Sequence, residues 1–260
     1  MFSSLFALRG ILSRKTSLYC EFIGIMTILI CWQLIIQGKL LPTVIFPTPW
    51  QIIACLPELH FENALVRNVL VSLKLNILGN FEAILLAVPL GFIIGLFPVF
   101  RAVFRRYIIA IRYLPLPTLL GVFIAIFGIY DNMKIQFLAL AVFVYLLPAV
   151  IQRINEVLDV YIQTALTMGA NKWQMIRHVF IPATLPLIWK DIVNLVAISW
   201  TYITIAEVVN ASGGGIGALC FTVATRGRID KVFAVLIIVI LVGMMQDKIL
   251  SCLGNWMFGE

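Results

Sequence analysis

Apolar residues come in long blocks along this chain. A helix that crosses a bilayer needs roughly 20 mostly apolar residues, and that length picks out six segments, about 18–37, 66–97, 107–129, 135–152, 187–209 and 232–253. The expected fold class is therefore all-α, a polytopic bundle of six transmembrane helices filling residues 1–260 with no separate soluble domain. An even number of spans leaves both termini on one side. The second block is too long for a simple crossing, so its first turns, with Arg67 and Lys74, are expected at the interface or along a water-filled groove. The first block reads as an uncleaved anchor, because it is long and no A-x-A-like cleavage site follows it. Upstream, Phe2, Leu5, Phe6, Leu8, Ile11 and Leu12 recur beside Arg9, Arg14 and Lys15. That pattern suits either a short helix lying on the cytoplasmic leaflet or a disordered start.

Composition agrees with the blocks: 62% hydrophobic residues, 12% charged residues and a mean hydropathy of +1.05 lie outside the range of soluble proteins. The net charge of +7 bears first on orientation, and a nucleic-acid partner is not expected. Alternate loops carry Lys and Arg in a ratio of twelve to six when the N-terminus is placed inside, so the chain is expected N-in and C-in. The five cysteines are widely spaced with no C-x-x-C pair, which points to neither a disulfide framework nor a metal site.

Polar residues inside spans are costly and face a cavity or another helix. In the second span Ser72, Asn76, Asn80 and Ala83 form a narrow stripe on one helical face. In the fifth, Trp200, Thr204 and Glu207 share one face, while Asn194 and Thr201 share another. Asn76, Asn80, Thr201, Thr204 and Glu207 are thus candidates for a translocation path, the competing reading being hydrogen bonding between helices of the bundle. Gly91 and Gly95 permit a close helix approach. The glycine run 213–217 followed by 218–225 reads either as a turn into a short helix whose free amides suit an anion or as a plain loop. Arg226 and Arg228 nearby would raise the local anion concentration in either case.

The longest cytoplasmic segment under this topology is 153–186. It reads as an amphipathic stretch from Asn155 to Met168 ending at Gly169, then a second from Asn171 to Phe180 ending before Pro182. Glycine supplies the left-handed residue that stops one helix, and Asn171 caps the next. The product is a compact knob exposing Gln163, Thr164, Lys172, Gln174 and Arg177.

Here the chain resembles a family. The membrane subunits of binding-protein-dependent ABC importers carry E-A-A-x3-G-x9-I-x-L-P, and this sequence has Gln163, Thr164, Ala165, Gly169, Val179, Ile181 and Pro182 at the same offsets. Gln163 stands where the family usually has Glu, and Thr164 where it has Ala. The likeness extends to Phe46-Pro47-Thr48-Pro49, Ser72-Leu73-Lys74, Val88-Pro89-Leu90-Gly91, Arg112 with Pro115 and Pro117, Phe127-Gly128-Ile129 and Ala206-Glu207. It is similar in particular to permeases for nitrate, sulfonates, taurine, bicarbonate and thiamine precursors.

The resemblance implies a multi-pass subunit of the bacterial inner membrane that pairs with a second permease, commonly an identical chain, and carries a small anion. It further implies two ATPase subunits seated on a coupling site made of Gln163, Thr164, Ala165, Gly169, Lys172 and Pro182, with solute delivered by an extracytoplasmic binding protein. No G-x-x-x-x-G-K-[ST] occurs, so ATP and Mg are expected on that separate ATPase, and this chain is expected to bind no cofactor and to be no enzyme. His60 and His178 fall on opposite sides of the membrane in this reading and build no catalytic set. A self-sufficient carrier or channel is the rival class, but such carriers show repeated halves, and none is evident. A permease for a vitamin-like solute is a further alternative.

Overall fold

The computed structural model describes residues 12–38, 42 and 45–259. The proposed surface helix before Leu12 lies outside the described residues. All regular elements among those described are helices. The first, α1 (Arg14–Gln37), is capped by the Ser13 hydroxyl, which accepts from the Thr16 amide. Two short helices follow, α2 (Pro49–Ala54) and α3 (Leu56–Phe61). The Phe46-Pro47-Thr48-Pro49 stretch builds the start of this pair. Thr48 and Gln51 form a reciprocal capping box, Pro49 begins the helix where its missing N–H costs nothing, and the Pro47 carbonyl accepts from Trp32 Nε1 at 3.0 Å. Rings of Trp32, Phe46 and Phe233 meet there and tie α1 to the bundle.

The bundle proper contains α4 (Leu65–Leu96), α5 (Pro98–Ile111), α6 (Leu120–Phe127), α7 (Asp131–Asn155), α8 (Asp159–Thr167), α9 (Lys172–Met175), α10 (Ile181–Val209), α11 (Ile216–Thr225) and α12 (Ile229–Phe258). Helices α4 and α7 pack along each other through glycines. A Cβ on Gly79 would lie 2.9 Å from Leu138 Cδ2, one on Gly91 2.5 Å from Val150 Cγ1, and one on Gly95 2.7 Å from Ile154 Cδ1. With Ala83 and Ala87 fully buried on the same side, the small residues let two backbones approach where lipid offers no hydrophobic drive of its own. The spaced Gly91 and Gly95 therefore serve a contact inside this chain.

Among the described residues, five helical stretches are long and apolar enough to cross a membrane, and a sixth arises if a bent pair counts as one span. The expected third span, 107–129, is that pair. Pro98–Ile111 and Leu116–Phe127 meet at 92°, because Pro115 and Pro117 withhold backbone donors and Pro115 biases Leu114 away from helical geometry. The expected helix end before Pro182 is also corrected. Lys172–Val209 runs on as one 38-residue stretch through a π-turn at Ile176–Phe180, where the Ile181 amide donates to the Ile176 carbonyl. The widened turn sits where a regular helix would drive the Pro182 ring against the carbonyl four residues back. Near the knob, Asn155 ends α7 rather than opening the next helix, which starts at Asp159.

Candidate functional site

The knob between α7 and α10 is built by two terminal motifs. At the end of α8 the Ala170 amide donates to the Ala165 carbonyl (3.0 Å) and the Gly169 amide to that of Leu166 (2.9 Å). This is the paired closure that needs a left-handed residue, and Gly169 supplies it at φ +77°. A Cβ there would meet nothing within 4 Å, so the requirement is one of backbone conformation and not of space. Asn171 then opens α9 with a capping box, its side chain accepting from the Gln174 amide at 2.9 Å while Gln174 Oε1 accepts from the Asn171 amide at 2.8 Å.

A groove of about 810 Å³ runs along the knob, lined by Thr164, Ala165, Gly169, Val179 and Pro182 together with Met168. Residues spread over the 163–182 pattern thus meet on one surface. Gln163 and Lys172 stand outside that lining and are exposed; Lys172 borders a second recess, of about 450 Å³, beneath the knob. Met168 is 83% and Trp173 67% exposed, so large apolar groups stand in the open with no cover from the described residues. The knob is held to the bundle by Arg153 at the end of α7, which donates to Asp191 of α10 through Nε (2.7 Å) and NH2 (2.8 Å) and reaches Glu156 at 2.9 Å. This forked pairing joins residues 38 apart, and no local pattern announces it.

The path candidates fall into two groups. Asn76, Asn80 and Glu207 are buried. Asn76 Nδ2 donates to Ser199 Oγ at 2.7 Å, and Asn80 Nδ2 lies 3.0 Å from the same hydroxyl and 2.8 Å from the Asn76 carbonyl. Gln246 Nε2 donates to Asn76 Oδ1 at 3.0 Å, and its Oε1 accepts from Trp200 Nε1 at 2.9 Å. The cluster ties α4, α10 and α12 together by polar contacts in a region where water is scarce. Among the described residues Asn80 Oδ1 is the buried side-chain polar atom without a partner. Thr201 and Thr204 belong to the second group. Thr201 is exposed and Thr204 half-buried, and the Thr204 hydroxyl donates back to its own helix at the carbonyls of Trp200 (3.0 Å) and Thr201 (2.9 Å). Thr201, Thr204, Gly217 and Phe221 share a cleft of about 490 Å³ among α10, α11 and α12.

Glu207 explains the glycine run. Its carboxylate accepts from Ser72 Oγ at 2.5 Å and from the Gly217 amide at 2.8 Å, while the Ile216 amide donates to Ser72 Oγ (2.7 Å) and the Gly215 amide to Asn68 Oδ1 (2.9 Å). The first amides of α11 are therefore occupied by the chain's own acceptors, and the anion that suits this helix start is an internal carboxylate. Lys134, at the start of α7, is buried and donates to the Gly214 carbonyl at 3.3 Å. Gly217 permits the crossing of α11 over α10, since a Cβ there would sit 2.3 Å from the Thr204 carbonyl oxygen. Asn68, Ser199 and Gln246, which complete these clusters, were missed as candidates because their partners lie on distant helices, which no local spacing announces.

Beyond the start of α11, Arg228 is also committed. It grips Glu58 of α3 through NH1 (2.7 Å) and NH2 (2.8 Å) and pairs with Asp230, while Lys231 reaches Glu58 at 2.7 Å. The Arg228 guanidinium and then Lys231 pull the Glu58 carboxyl down to about 2, and Arg228 is raised in return by Asp230 and Glu58. It is thus part of a neutralised network, and of Arg226 and Arg228 only Arg226 is exposed and outside it.

Comparison with known proteins matches this geometry to a family. The chain is 26% identical over 245 residues to the taurine transport system permease protein TauC of Escherichia coli (strain K12), covering 91% of this chain and 86% of that one. It is 28% identical over 233 residues to the putative aliphatic sulfonates transport permease protein SsuC of Bacillus subtilis (strain 168), covering 87% and 82%. The fold matches a chain of the inward-facing MetNI methionine ABC transporter with a TM-score of 0.63 at 19% identity, over 75% of this chain and 94% of that one. The family described as the binding-protein-dependent transport system inner membrane component matches residues 87–252. These residues include the knob, α10 and the glycine-started α11. The chain belongs to that family and is an inner-membrane permease subunit of a binding-protein-dependent ABC importer.

Proposed function

We propose that this subunit pairs with an identical copy to enclose a solute path, seats a separate ATPase on residues 159–182 and receives a small anion from an extracytoplasmic binding protein. The observation that carries the reading is the open groove of the knob, where Thr164, Ala165, Gly169 and Pro182 line one surface while Met168 and Trp173 stand exposed. A knob of this kind fits insertion into a partner's cleft. ATP and Mg belong to that partner. Gln163 and Lys172 act at the rim of the contact, with Gln163 offering an uncharged hydrogen bond where relatives of this type offer a carboxylate. The names of the taurine and sulfonate relatives favour a sulfonate or a similar small oxyanion as solute. The passage runs along the Thr201 and Thr204 side of α10, where the 490 Å³ cleft lies, and the buried Asn76, Asn80 and Glu207 hold its wall. With the N-terminus inside, the knob faces the cytoplasm.

The test is a reconstitution of the chain with the ATPase and binding protein from its own organism. Solute-stimulated ATP turnover and uptake of a sulfonate are expected, and a double change of Met168→Asp and Trp173→Asp abolishes co-purification of the ATPase while leaving the permease monodisperse. Uptake that survives this change unaltered overturns the coupling assignment.

A further inference from the structure

Helix α5 has a pattern that the transport reading leaves unused. None of its residues is buried. Arg101, Arg105 and, just past its end, Arg112 fall on one stripe by helical spacing, and Val99, Val103 and Tyr107 on the other side are strongly exposed. No acidic residue occurs between Glu82 and Asp131. Among the described residues none of Arg101, Arg105, Arg106 or Arg112 pairs with a carboxylate. Three guanidinium groups on α5 and a fourth just past its end are thus gathered with no counter-charge from the described residues. Arg101 donates to the Gly95 carbonyl at the end of α4, which fixes the start of α5 against the bundle.

Between α5 and the bundle lies a groove of about 440 Å³. Ile94, Ile108, Pro148 and Ile151 give it apolar walls, and the exposed Arg101 and Arg105 also line it. An apolar trough that carries cations, next to a helix bent 92° from the following one, has the composition of a boundary between acyl chains and headgroups.

We propose that this groove is a binding site for one anionic phospholipid, with an acyl chain against Ile94, Ile108 and Ile151 and the phosphate between Arg101 and Arg105. Charge complementarity selects the occupant. A protein partner would need its own acidic patch and would have to displace lipid from α5, whereas an anionic lipid brings both the chain and the charge. The assignment does not depend on which solute is carried or on which side the termini lie. Arg101 and Asn155 line both this groove and the recess beneath the knob, so an occupied site buttresses the knob from behind.

The test is native mass spectrometry of the full-length chain in detergent, titrated with dioleoylphosphatidylglycerol or dioleoylphosphatidylcholine. One tightly retained phosphatidylglycerol is expected, with roughly fivefold tighter retention than phosphatidylcholine for each contributing arginine. Arg105→Gln removes about one such factor, and Arg106→Gln, on a different face of α5 and outside the groove, leaves the preference unchanged. Ile108→Trp, which fills the groove without touching charge, lowers retention of the lipid. Equal retention of both lipids by the unaltered chain overturns the site. So does an equal loss in Arg105→Gln and Arg106→Gln, which marks diffuse surface charge. A preference unaffected by Arg105→Gln, or a dimer that dissociates in Arg105→Gln with lipid retention intact, overturns it as well, the latter because a second copy of the chain is then the occupant.

Discussion

Gly217 and Glu207 show how single side chains set the packing at the start of α11. Adding a methyl at 217 places a carbon against the backbone of Thr204, which cannot rotate out of the way, so α11 must move. Gly217→Ala is expected to destabilise the purified chain by about 1–3 kcal/mol. Gly243→Ala, whose added carbon meets only the edge of Trp200 at 3.8 Å, is expected to be close to neutral. Thermal unfolding of the two variants in one detergent checks the contrast. Glu207→Gln keeps the shape but turns one acceptor into a donor facing either Ser72 Oγ or the Gly217 amide. A loss of about 1–3 kcal/mol is expected from the unpaired group, and Glu207→Asp, which shortens the reach, does not restore it.

At the scale of elements, the join between α8 and α9 is a backbone device. Gly169→Ala is expected to cost about 1–3 kcal/mol of local strain because of its positive φ, re-aiming α8 and reducing ATPase co-purification. Gly169→Asn, which tolerates the left-handed region, is expected to retain most of it. Equal loss in both variants would show that the glycine matters for contact and not for conformation. The clamp between α3 and the start of α12 gives a pH dependence. A carboxyl lowered from its usual value of 4.5 to about 2 favours the docked arrangement at pH above its usual range, and that contribution fades as pH falls from about 4.5 towards 2. Amide exchange in 56–61, corrected for its intrinsic rate, should therefore stay slow from neutral pH to about 4 and quicken below, and Glu58→Gln should exchange quickly throughout.

At the scale of the whole molecule the open matter is orientation. From the twelve-to-six distribution of Lys and Arg the knob is expected inside. In a chain freed of its five cysteines, a cysteine at position 226 is expected to react with an impermeant maleimide in intact cells, and one at 172 only after lysis. The reverse result would invert the topology. Position 134 is unsuited to this test, since Lys134 is wholly buried against the glycine run.

Spans of apolar residues, the glycine stop, the Asn171 cap and the 163–182 spacing were legible in the sequence because each is set locally, by hydropathy over about 20 residues or by the backbone freedom of one residue. The break of the third span was also written there, in Pro115 and Pro117, but the apolar count masked it. What only the tertiary structure decided is the partnership of the polar groups. The stripe of Ser72, Asn76 and Asn80 has the same period whether it faces a passage or a neighbouring helix, and it is Ser199, Glu207 and Gln246, more than 100 residues away, that take up its hydrogen bonds. The same holds for the first amides of α11, which are satisfied by Asn68, Ser72 and Glu207. Local sequence fixes which groups need partners in a membrane. Which groups meet is fixed by how the helices pack, and small residues at 79, 91, 95 and 217 set that packing by letting backbones approach.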